Sequence, residues 1–102
     1  MPTRAENFAA LVARDPANPL FRFSLAQALV AEGQGAAAVP HYEVCVASRA
    51  DWMMPRILLG KLLLELGHRE EARPLLENAL ELARQQQHED PERELVALLA
   101  SW

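Results

Sequence analysis

MMPRILLGKLLLELGHREEARPLLENALELARQQ, residues 53–86, is a second, degenerate copy of PLFRFSLAQALVAEGQGAAAVPHYEVCVASRADW, residues 19–52. Sliding the chain along itself by 34 residues superposes Arg22 on Arg56, Leu25 on Leu59, Leu29 on Leu63 and Gly33 on Gly67. Ala38 then falls on Ala72, Pro40 on Pro74 and Glu43 on Glu77. These identities sit where a helix–turn–helix unit needs particular side-chain shapes. A fixed period of this length is the mark of stacked units, each too small to bury its own apolar face alone.

Each copy runs Arg-x-x-Leu-small-x-x-Leu, then Gly, then Ala-x-x-x-large. In the first copy these positions are Arg22, Leu25, Ala26, Leu29, Gly33, Ala38 and Tyr42; in the second they are Arg56, Leu59, Gly60, Leu63, Gly67, Ala72 and Leu76. This resembles the tetratricopeptide repeat, whose period is 34 residues and whose signature is Trp-x-x-Leu-Gly-x-x-Tyr, then Ala-x-x-x-Phe and Pro. Arg22 and Arg56 stand in place of its Trp, Leu29 and Leu63 in place of its Tyr, and Ala50 and Arg84 in place of its Pro. The small–small contacts are kept: Ala26 or Gly60 lets the first helix (A) of a repeat lie close to the second (B), and Ala38 and Ala72 do so from the other side. Gly33 and Gly67 fall where helix A must end, in the left-handed conformation that glycine adopts cheaply.

The resemblance implies an all-α, right-handed superhelical solenoid of antiparallel helix pairs. The expected division is a half repeat at 3–16, repeats at 19–52 and 53–86, and a capping helix at 90–102, together one domain. In such arrays the A helices line the concave groove. The matching positions are Leu20, Phe23, Gln27 and Val30 in the first repeat, and Met54, Ile57, Lys61, Leu64 and Glu65 in the second. One Lys and one Gln among aliphatics suit a partner's helix or extended apolar segment better than a terminal carboxylate. The chain's own terminal helix, or a second copy forming a homodimer, could fill the same groove.

Composition agrees with helices: half of the residues are apolar, only 6% are aromatic, and Ala and Leu dominate. The net charge of −4 lies wholly in residues 51–102. An acidic half without a Lys/Arg cluster argues against nucleic acid or an anionic membrane as partner. No apolar run approaches the length of a spanning helix, and Met1-Pro-Thr-Arg lacks the apolar core of a secretory signal, so a cytoplasmic location is expected.

Local signals place the ends of the elements. Thr3 and Glu6 have the spacing of a capping box, with Ala5, Phe8, Ala9 and Val12 on one apolar face behind them. Asn18 caps and Pro19 opens the next helix. Asp51 is the expected cap of the second A helix, Asp90-Pro91 the expected start of the last one, and residues 85–89 read as a loop or frayed helix end. Pro40 and Pro74 are expected near the first turns of their helices.

Chemistry is sparse. His41, His68 and His88 share no ligand spacing, so no metal site and no cofactor is expected. Cys45 rules out an intrachain disulfide and reads as a small buried hydrophobe at the position of Ala79. Trp52 and Trp102 read as core-edge residues. No nucleophile, base and orienting group can be assembled, so a non-enzymatic binding protein is expected.

Overall fold

The computed structural model describes residues 1–102 and holds six helices and no strand: α1 Arg4–Arg14, α2 Pro19–Ala31, α3 Gly35–Ser48, α4 Met53–Glu65, α5 Arg69–Gln85 and α6 Glu89–Ala100. They form two compact units, residues 1–50 and 51–102. In the first, α1 and α3 each pack on α2; in the second, α4 and α6 each pack on α5. Turns of three or four residues join the helices within each unit, so successive helices double back on one another.

Helix ends follow local chemistry. The Thr3 hydroxyl accepts from the Glu6 N–H at 3.1 Å and donates to the Glu6 carboxylate at 3.5 Å; the second half of the box therefore closes on the side chain. Asn18 Oδ1 accepts from the N–H of Leu20 and of Phe21, and Pro19 occupies the first position of α2.

Both A helices close in the same way. Gln34 N–H donates to Leu29 O at 2.8 Å and Gly33 N–H to Val30 O at 3.1 Å; His68 to Leu63 and Gly67 to Leu64 repeat these distances. This is the Schellman arrangement, and Gly33 and Gly67 stand at φ +78° and +85° to allow it. A third copy ends α5, where the sequence suggested a loop or frayed end: His88 N–H donates to Ala83 O, Gln87 N–H to Arg84 O, and Gln87 itself takes φ 58°.

Two starts differ from expectation. The N-cap of α4 is Trp52, without a side-chain cap, and the charge of the expected cap, Asp51, acts on Arg56. Helix α6 begins at Glu89 with His88 as cap, so Asp90 and Pro91 fall inside its first turn. There Pro91 lacks only an N–H that no intrahelical partner would have used. Pro40 and Pro74 lie a turn deeper than expected, each the sixth residue of its helix. Each removes one intrahelical bond, on an exposed side where water can serve the freed carbonyl.

In the first unit Ala5, Val12, Leu25 and Ala28 form a core that Phe8, Phe21 and Leu29 extend. Tyr42, 2% exposed, meets the ring of Phe23 edge-on at 6.0 Å. In the second unit Leu76 and Leu95 are completely buried. There α4 approaches α5 so closely that a Cβ on Gly60 would stand 2.6 Å from Leu76 Cδ2. A glycine at this repeat position sets that spacing.

Candidate protein-binding face

The anticipated binding positions divide by unit. On α2, Leu20 is 62% and Val30 39% exposed, Gln27 is exposed, and Phe23 is half-buried against Tyr42. On α4, Met54 is 43% exposed, Glu65 is exposed and Leu64 is half-buried, while Ile57 retains only 7% of its surface. Leu20 and Met54 are one repeat apart and both lie open, so the same apolar position is presented twice. An apolar side chain left in water at equivalent sites is surface that a partner can cover with gain.

Polar groups on these helices are largely committed. Lys61 forms an ion pair with Glu94 of α6, which holds the terminal helix to the inner repeat and takes up the only lysine. Helix α6 is further tied by Arg84 to Glu92 at 3.2 Å and by the Arg69 guanidinium, 4.9 Å from the centroid of the Trp102 ring. Trp52 and Trp102 are both half-buried, at the edge of the packing.

The two arginines that replace the signature tryptophan prove to be structural. Arg22 donates through Nε to Pro16 O at 3.0 Å, and its Nη1 lies 3.1 Å from His41 Nδ1 on α3. Arg56, only 7% exposed, donates through Nε to Asn78 Oδ1 on α5 and through Nη1 to Trp52 O at 2.6 Å. Each guanidinium thus ties helix A to helix B where an indole would have filled the gap. Burial lowers the Arg56 pKa and the Asp51 charge opposes that shift, as expected for a guanidinium that stays protonated. The sequence carried one signal of this, an arginine repeated at the same position.

Three other groups are shifted by their surroundings. Burial, then the Arg22 charge, lowers the His41 pKa, so the ring is neutral at pH 7 and Nδ1 can accept. Burial pushes the Cys45 thiol up to about 11, although Arg22 and a backbone hydrogen bond act the other way; the thiol donates to Pro19 O at 3.4 Å. Tyr42 is raised by burial and then by Cys45. No cluster of His, Cys, Asp and Glu has the makings of a metal site, and no helix is long and apolar enough to cross a membrane.

Paired helices at a fixed period, closed by glycine turns and carrying a repeated open apolar position, define a helical-repeat protein of the interaction class. The sequence profile of the tetratricopeptide repeat matches residues 19–43 and 53–78, together half of the chain, and the protein belongs to that family. Tetratricopeptide repeats generally mediate protein–protein interaction. A comparison with curated proteins found no match.

Proposed function

We propose that this chain is a non-enzymatic adaptor whose repeats each offer an open face, on α2 in the first unit and on α4 in the second, to an apolar segment or amphipathic helix of a partner protein. The observation that carries this reading is the repeated exposure of Leu20 and Met54, at 62% and 43%. Val30 and Leu64 extend the apolar surface on their respective helices, and Gln27 and Glu65 supply polar selection. Lys61 contributes less than its charge suggests, since Glu94 already neutralises it. A partner read by apolar side chains therefore fits better than one read by a terminal carboxylate. The expected compartment is the cytoplasm.

The test uses the exposed positions, where a charge costs little folding energy. Leu20→Asp with Met54→Asp should abolish capture of a partner from extracts of the source cell, with helicity retained by circular dichroism. Light scattering on the same samples identifies the occupant: a stable dimer that the two substitutions dissolve would make a second copy the partner. Unchanged capture together with unchanged molar mass would remove these faces as the working surface.

A further inference from the structure

A different part of the first unit has a concave surface of its own. Between α1, α2 and α3 lies an open trough of about 350 Å³. Three pairs of residues, each one helical turn apart, line it: Ala5 and Ala9, Leu25 and Leu29, Ala37 and His41. The alanines make the space, since a larger side chain at any of them would fill it. Leu25, 4% exposed, forms part of an apolar floor.

The mouth of the trough is acidic. Glu6 and Glu32 both line it and both are exposed. Each uses one oxygen within the protein: Glu32 Oε2 accepts from the Ala5 N–H at 3.0 Å, and Glu6 Oε1 from the Thr3 hydroxyl. Neither forms an ion pair, although four basic residues of the same unit match its four acidic ones in number. The Arg22 guanidinium stands at the His41 end, so a cation would be repelled there and drawn to the carboxylate end.

We infer that this trough binds a basic side chain next to an apolar residue on a protein segment, with the apolar part on Leu25 and Leu29 and the cation at Glu6 and Glu32. An arginine fits this division, because its stem lies along apolar surface while its planar head meets carboxylates. The trough is open along the helices, which favours a stretch of polypeptide over an enclosed small molecule. None of the residues lining it belongs to the Leu20 and Met54 faces, so the two readings stand or fall separately.

The experiment titrates the 102-residue chain with the peptide acetyl-Leu-Arg-Leu-amide and follows backbone amides by two-dimensional NMR. Saturable shifts should centre on Ala5, Leu29, Glu32 and Ala37. Binding should weaken about tenfold with the Leu-Gln-Leu peptide, and about as much in Glu6→Gln/Glu32→Gln. Those substitutions keep an oxygen that can accept from Thr3 and from the Ala5 N–H, so the fold is retained. Leu20→Asp should leave the titration unchanged. Equal response to the Leu-Gln-Leu peptide, shifts centred elsewhere, or no saturation would overturn the assignment. Agmatine binding as tightly as the peptide would overturn the polypeptide as its occupant.

Discussion

The Cβ that Gly60 lacks would lie 2.6 Å from Leu76 Cδ2 and 2.7 Å from Leu76 Cγ. Leu76 is completely buried, so its side chain has nowhere to retreat. The equivalent position in the first repeat is Ala26, also completely buried, so that helix pair accommodates the methyl group that this one excludes. Gly60→Ala should therefore destabilise the protein by about 1–3 kcal/mol despite its better helix propensity. Urea unfolding checks this. A gain in stability would mean that α4 and α5 can separate freely.

Gln87 is the one non-glycine residue at positive φ, in a turn whose two counterparts carry glycine. The left-handed conformation costs an ordinary residue about 1 kcal/mol or more. Gln87→Gly should stabilise the protein by about 0.5–1 kcal/mol, and Gly67→Ala should destabilise it by a similar amount. Thermal melts of the two variants should move in opposite directions.

Arg56 ties α4 to α5 with charge-assisted hydrogen bonds from a largely buried position. Arg56→Met should cost about 1–3 kcal/mol, and Arg56→Lys should recover little of it, since an ammonium cannot span Asn78 and Trp52 as the planar fork does. Equilibrium denaturation of the pair tests the claim. Full rescue by lysine would reduce the residue to a point charge.

Acid should weaken the contact between Arg22 and His41. The folded pKa of His41 lies below the ordinary 6.5, so the unfolded chain takes up its proton first. The contribution is thus fully present above pH 6.5 and is lost as pH falls from there through the folded value. His41→Gln should flatten the stability profile between about pH 7 and about pH 5. Urea midpoints across that range decide it.

Cys45 is fully buried, and its thiol is held at about 11. At pH 8 iodoacetamide should therefore label the native protein far more slowly than the urea-unfolded chain, with mass spectrometry as the readout. Comparable rates would expose the thiol.

Much of the architecture was legible because it repeats at short range. The pairs Leu25 and Leu59, Gly33 and Gly67, and the Asn18-Pro19 start are local patterns with local causes. What escaped was set by distant partners. Asp51 has the chemistry of a cap but serves Arg56, and Lys61 looks like a selecting charge until Glu94, on another helix, neutralises it. Gln87 escaped for a different reason: no composition rule places glutamine at a left-handed turn. Exposure at the anticipated positions was legible in part. Leu20, Val30 and Met54 lie open, whereas Ile57 has the same helical spacing yet turns inward.

Arg56 donates hydrogen bonds to Asn78 and to Trp52, and the carboxylate that steadies its charge is Asp51. The fastening of that helix pair is thus encoded within less than one period of the chain. A tandem gene built by copying residues 51–84 end to end would carry a rivet in each copy.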